Sequence, residues 1–288
     1  MIKKLAFNRF YKLFNFISLS LILISIILLL FKGLNFGVDF KGGTLIELRV
    51  KDKTVTITNI RDSLNQINLG DVSVKKFGKE NDYLIKFEKK DFNNPNFISE
   101  IKSKLTSSLG NTFEFRRVEN VGPKVSSELL RSGIIAICLS LAAMLIYIWI
   151  RFEWQFSLGA IVALFHDVII TLGIFSLFSL EINLSIVAAV LTIVGYSMND
   201  TVVIFDRVRE NLRKYSDINI FELTNISINE TLSRTIITST TTLLALFSIF
   251  FFGGEILKGF SLAMILGVFF GTYSSIYIAN PILVFLKV

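Results

Sequence analysis

Apolar residues in this chain run in long blocks at both ends and alternate with charge in between. The first block, Phe14–Phe31, is almost wholly apolar and follows a basic, acid-free segment carrying Lys3, Lys4, Arg9 and Lys12. About 20 mainly apolar residues cross the hydrocarbon core as a helix, so a first span is expected within residues 14–36. A cleaved signal peptide has a shorter apolar region of about 7–15 residues and a small-x-small exit. Here the run is longer and leads into Lys32-Gly-Leu-Asn-Phe36, so a retained span is expected. Ser132–Ile150, Phe156–Phe178, Leu184–Phe205 and Phe260–Leu286 also reach spanning length, and Ile236–Phe252 is a shorter block that opens on Thr and Ser. The pattern predicts a polytopic α-helical membrane protein of six transmembrane helices in a one-plus-five arrangement.

Residues 37–130, between the first and second spans, carry a different periodicity. Thr44–Val50, Val72–Phe77, Tyr83–Phe87 and Thr112–Val118 alternate as short strands. Ile60, Leu64 and Ile67 have helical spacing, as do Phe97, Ile101, Leu105 and Leu109, with Gly110 placed as a C-cap. Gly78-Lys-Glu-Asn-Asp82 is a turn signal between two strands. The order βαββαβ predicts a ferredoxin-like domain, a fold that names no function by itself.

Composition sharpens this division. The chain of 288 residues is 52% apolar and 18% charged, with mean hydropathy +0.61, against about 45–50% and 25% in soluble domains. Residues 37–130 hold 29 of the 53 charges. This excludes a single soluble globule, a disordered chain and a disulfide scaffold; the one cysteine, Cys138, has no internal partner. With the N-terminus inside, the cytoplasmic segments carry eleven basic residues, including Arg151, Arg207, Arg209, Arg213 and Lys214, and the short outer loops only Lys258. By the positive-inside rule, both termini and the loop 206–233 are cytoplasmic, and residues 37–130 lie on the far, periplasmic side of a bacterial inner membrane. The net charge of +7 is then a topology signal, and no nucleic-acid partner is expected.

An ionisable residue inside a membrane costs roughly 2.5–3.5 kcal/mol at mid-helix on insertion scales. Asp200 lies inside the fourth span, with Tyr196 one turn earlier and Asn199 adjacent. A carboxylate drawn out of water disfavours its charged form, which suits proton exchange; the alternative is a plain cytoplasmic-end carboxylate. Arg234 opens the fifth span, and Thr238, Thr241 and Thr242 follow on one hydroxyl-lined face. Such an Arg either competes with a proton for Asp200 or simply anchors the span. His166-Asp167, mid-way along the third span, reads as a proton-relay pair or a structural hydrogen-bonded pair. Two such residues fall short of a three-ligand zinc site, and no motif marks a nucleophile. No metal, cofactor or enzyme activity is expected. Gly37-Val-Asp-Phe-Lys-Gly-Gly43 lacks phosphate-loop spacing and reads as a tight exit from the first span. Gly267 and Gly271 form GxxxG, either a helix-packing face or a lipid-facing coincidence. Asp206–Lys214 reads as a solvated helix end.

Several of these residues fall in ordered motifs: Asn35-Phe-Gly-Val-Asp-Phe-Lys-Gly-Gly-Thr44, Val121-Gly-Pro-Lys-Val125, His166-Asp-Val168, Val194-Gly-Tyr-Ser-Met-Asn-Asp-Thr201, Phe205-Asp-Arg207, Gly259-Phe-Ser-Leu262 and Gly271-Thr-Tyr-Ser-Ser275. Together with the one-plus-five layout, the chain resembles the SecF family, the smaller membrane subunits of SecDF protein-export complexes in the RND superfamily. The resemblance implies use of the proton-motive force for late export of unfolded preproteins through SecYEG, in partnership with SecD, amid membrane lipids. It implies that Asp200 and Arg234 serve proton passage with an aspartate from SecD, protons being the coupling ion. It places His166 and Asp167 as motif positions without a fixed role. Two alternatives stay open: a non-proton-conducting assembly subunit of a translocon, and half of another RND-type exporter.

Overall fold

The computed structural model describes residues 5–51, 56–65, 72–76, 81–87, 97–110, 113–215 and 217–286. Lys3, Lys4, Ile67, Phe77, Thr112, Lys287 and residues 78–80 lie outside them. The chain divides into two compact units, residues 36–134 and residues 1–35 with 135–288.

In residues 36–134 four strands are described: β1 (Gly43–Val50), β2 (Val72–Lys76), β3 (Asp82–Phe87) and β4 (Phe113–Val121). They form one antiparallel sheet in the order β2-β3-β1-β4. Helices Ile57–Asn65 and Phe97–Leu109 supply the two crossovers. Alternation puts Ile46, Leu48 and Val50 of β1 on one face with Val74, Ile85 and Phe87. Ile60, Leu64, Ile101 and Leu105 cover that face from the helices. Across β1 and β3, Arg49 grips Asp82 with two bonds, Nε–Oδ1 2.6 Å and Nη2–Oδ2 2.7 Å. Gly43 is required where it stands. Its φ is +137°, and a Cβ there would lie 2.7 Å from the Phe87 carbonyl oxygen of the paired strand.

Six described helices are long and apolar enough to span a membrane. Their helical bounds are Tyr11–Phe31, Pro123–Arg151, Trp154–Leu177, Leu184–Lys214, Ile220–Phe252 and, for the sixth, Glu255–Ser274 continued to Leu286. Three run further than apolar length alone indicates, the second already starting at Pro123, ahead of Ser132. The fourth helix continues to Lys214, and the fifth starts at Ile220, capped by the Asn219 side chain. The segment 206–233 is therefore mostly a helical hairpin, and Asp206–Lys214 is more than a solvated end. Asn211 is fully buried, bonding Ser227 at 2.9 Å and Glu230 at 2.8 Å. Arg207 joins Glu230 at 2.7 Å.

The sixth span packs on the third, fourth and fifth, and the first packs on the third. Lipid supplies no hydrophobic drive between helices, so close packing of small residues carries the association. A Cβ on Gly267 would sit 2.2 Å from Ile193 Cγ1, and one on Gly271 3.0 Å from Ser197 Cβ. The GxxxG face thus seats the fourth span, four residues against four. Gly173 meets Ser25 of the first span in the same way, at 2.3 Å from its Oγ. The sixth span is interrupted by a π turn at Ser275–Ala279, whose Ser275 carbonyl takes a 2.6 Å bond from Asn280 Nδ2.

Gly267→Val is expected to destabilise the protein by about 1–3 kcal/mol through overpacking, read as a lower melting temperature in detergent. Adding Ile193→Ala recovers part of the loss. A Gly267→Val protein that melts with the wild type contradicts the interlock.

Candidate functional site

Among the described residues, two buried carboxylates lie inside the helical unit, and the chain treats them differently. Asp167, on the third span, is fully buried. Its Oδ1 faces His166 Nδ1 at 2.8 Å. Its Oδ2 accepts from Ser197 Oγ of the fourth span at 2.6 Å and Ser274 Oγ of the sixth at 2.8 Å. With the carboxylate charged, the imidazole Nδ1 carries the hydrogen, and Asp167 receives three donors. His166 is buried, stacks on Tyr273 with ring centroids 5.8 Å apart, and among the described residues its Nε2 has no partner. Tyr273 in turn donates to the Phe14 carbonyl at 2.8 Å, so Ser18 Oγ, 2.7 Å away, donates to it. The third, fourth, sixth and first spans meet through this cluster.

Asp200 is 3% exposed. Its Oδ2 lies 3.3 Å from Ser239 Oγ of the fifth span and 3.3 Å from Thr272 Oγ1 of the sixth. Those two hydroxyls also bond each other at 2.7 Å. Each hydroxyl owns one hydrogen. The short mutual bond takes one, leaving one for the carboxylate. Among the described residues no hydrogen bond reaches Asp200 Oδ1. A carboxylate offers about four acceptor positions, so Asp200 is starved of donors while Asp167 is supplied. Deprotonated, it needs a cation, water or a further donor; protonated, it needs little.

Of the residues singled out in the sequence, Arg234 makes no direct contact with Asp200 among the described residues. It is exposed on the fifth span and, among the described residues, its guanidinium makes no hydrogen bond or ion pair. Tyr196 is half-buried and its hydroxyl donates to the Thr238 carbonyl at 3.3 Å. Asn199 is exposed. Thr238 and Thr241 turn their hydroxyls to carbonyls of their own helix, Thr238 to Arg234 at 3.0 Å and Thr241 to Ile237 at 2.8 Å. The hydroxyls that reach Asp200 belong instead to Ser239 and Thr272. The buried stripe of the fifth span is Thr235, Ser239 and Leu246, one residue along from the Arg234–Thr238 stripe. Ser197 carried a signal, being a serine in a helix that also holds a rare charge, whereas Ser274 lies in an apolar run, 260–286, free of charged residues, and spacing alone does not pair the two.

The profile of the family described as "Protein export membrane protein SecD/SecF, C-terminal" matches residues 101–288, and that of the "SecD/SecF GG Motif" matches residues 27–54. The chain is similar to the "Protein translocase subunit SecF" of Rickettsia bellii (strain OSU 85-389), 48% identical over 96% of this chain and 91% of that protein. This chain belongs to the SecF family. The SecF of Rickettsia akari (strain Hartford) is 49% identical over 92% of the chain and 86% of its own length. Among solved structures, SecDF from Thermus thermophilus, titled a translocon-associated membrane protein, superposes with a TM-score of 0.88 at 34% identity. A super-membrane-facing form of SecDF gives 0.74 at 34% identity. The chain is covered 99% and 100% in these matches but spans 39% of either SecDF chain. Membership of SecF and six spanning helices make it a multi-pass membrane protein. The glycine pair at Gly42-Gly43 falls within the region of the GG motif, where the Gly43–Phe87 contact accounts for its lack of a side chain.

Ser239→Ala combined with Thr272→Val removes the one hydroxyl hydrogen left for Asp200, and a hydrogen bond to the charged form favours that form. Labelling of Asp200 by a membrane-permeant carbodiimide, which attacks the protonated acid, is expected to rise several-fold at fixed pH, read by peptide mass spectrometry. Thr241→Val is expected to leave labelling unchanged. Equal labelling in wild type and the double variant contradicts the assignment of this hydroxyl pair as the donor to Asp200.

Proposed function

We propose that this chain is the proton-coupled subunit of a SecDF-type export complex, with Asp200 as the group that exchanges the proton. The observation that carries the reading is the donor-poor Asp200 carboxylate set in a hydroxyl notch among the fourth, fifth and sixth spans. Such a group is stable neutral and costly charged, so a proton gradient acts on it directly. Arg234, unpaired among the described residues and on the neighbouring span, is the cation that relieves the charged state. A second acidic group is needed to pass the proton on, and SecD supplies it from its own spans. The SecDF match, in which this chain aligns with 39% of a longer polypeptide, supports that partnership.

The rest of the reading follows from composition and family. Basic residues crowd one side of the spans, which supports cytoplasmic termini and an extracytoplasmic place for residues 37–130 in the bacterial inner membrane. There the βαββαβ unit, with sheet order 4-1-3-2, is a ferredoxin-like domain. The relatives' naming as translocase subunits supports late export of unfolded preproteins through SecYEG. The chain is a transport component, with the proton as coupling ion and no chemistry of its own to catalyse. One charge crossing 100 mV releases about 2.3 kcal/mol, roughly a fifty-fold bias on a two-state rearrangement.

Proteoliposomes holding SecYEG, the cognate SecD and this chain test the reading. Completion of preprotein export is measured with and without an imposed proton gradient, at matched complex levels. The wild type is expected to gain from the gradient and Asp200→Asn to gain nothing. An Asp200→Asn complex that gains as the wild type does makes Asp200 structural and the chain an assembly subunit.

A further inference from the structure

Asp167 is a buried ionisable group that proton exchange at Asp200 leaves unused, and its partners are revealing. Ser197 and Asp200 are three residues apart on the fourth span, on one helical face. Ser274 and Thr272 are two apart on the sixth. The same Oδ2 of Asp167 accepts from both serines, at 2.6 Å and 2.8 Å. That single oxygen therefore ties the helix that carries Asp200 to the helix that carries its donor Thr272. Directly beside the tie, Gly271 brings the two backbones together, a Cβ there falling 3.2 Å from Ser197 Cα. One turn further along, Thr201 Oγ1 and Ser275 Oγ bond at 2.8 Å across the same interface. His166 holds the other carboxylate oxygen and so fixes the orientation of the acid.

We infer that Asp167 is a positioning residue for the proton site: by gathering Ser197 and Ser274 on one oxygen it sets the distance between Asp200 and Thr272, and through that the proton affinity of Asp200. The inference deepens the proposed function and rests on Asp200 being its proton-exchanging group. A donor placed 3.3 Å from an acceptor sits where a few tenths of an ångström decide whether a bond is made, so the tie acts where the site is most sensitive. Among the described residues, the charged and titratable groups facing the two acids are His166 beside Asp167, with Tyr273 stacked on it, and, on the fifth span packed against Asp200, Arg234.

The test uses the complex with SecD in proteoliposomes. Carbodiimide labelling of the Asp200 peptide is followed against pH, and gradient-stimulated export is measured in parallel. Asp167→Asn is expected to move the labelling midpoint of Asp200 by about half a pH unit or more, a roughly three-fold change in proton binding, in the same direction as Ser239→Ala combined with Thr272→Val. Ser274→Ala, a milder change that keeps the acid buried and paired with His166, is expected to move it the same way. Ser176→Ala is the control. It strips the third span of its bonds to the Leu28 and Gly33 carbonyls without touching the tie, and should leave the midpoint in place. Midpoints in Asp167→Asn and Ser274→Ala that match the wild type overturn the inference, even when Asp200→Asn abolishes the response to the gradient. A midpoint that moves equally in Ser176→Ala overturns it too, since general loosening then suffices. Should Asp200→Asn export normally while Asp167→Asn still moves the midpoint, the positioning role stands and the proton-coupling reading falls.

Discussion

A carboxylate held in hydrocarbon must be given hydrogens by the protein, because water is absent to give them. Around this constraint the helical unit is arranged. Asp167 meets it in full, with an imidazole and two serines. Asp200 meets it in part, with hydroxyls that spend one of their two hydrogens on each other. The first acid is a fastener and the second is a load. A fully supplied buried acid gains little from a proton, whereas a poorly supplied one gains much. The difference in donors, more than any difference in depth, separates a structural aspartate from one able to answer a proton gradient.

Supplying those hydrogens demands that helices approach closely, and small residues make this possible. Gly267 and Gly271 seat the fourth span on the sixth, and Gly173 takes Ser25 of the first span against the third. The sixth span is then the organising element, since Thr272, Ser274 and Tyr273 serve Asp200, Asp167 and His166 from consecutive positions. Immediately after them its backbone loosens into the π turn Ser275–Ala279. Single π turns inside α-helices are frequent at functional sites, and this one is made tolerable by Asn280, which satisfies the Ser275 carbonyl.

Much of this was legible before any coordinates. Six apolar blocks, the alternation of Thr44–Val50 and Tyr83–Phe87, and the rarity of charge in the spans all come from physics that acts along the chain. Asp200 and Asp167 stood out because intramembrane acids are costly. The donors did not stand out. Spacing grouped Arg234 with Thr238 and Thr241, yet Ser239, on the next stripe, faces Asp200. In a soluble helix, polarity reveals the buried stripe; in a membrane both the buried and the lipid-facing stripes are apolar, so the signal vanishes. Thr272 and Ser274 were hidden for a second reason: their partners lie 72 and 107 residues away in sequence, and no local period encodes such a meeting. The hairpin around Asn211 was missed because its charged surface masks a single fully buried amide.

The central claim is that Asp200 takes up and releases a proton while Asp167 keeps one state. Infrared difference spectroscopy on the complex with SecD, with isotope-labelled aspartate in this chain alone, tests it most directly. Between acidic and alkaline buffer, one labelled carboxylic-acid band from the spans should appear and vanish. The account predicts that Asp200→Asn abolishes this band and that Asp167→Asn retains it, displaced along the pH axis. A band that persists in Asp200→Asn and is lost in Asp167→Asn would contradict the account and exchange the roles of the two acids.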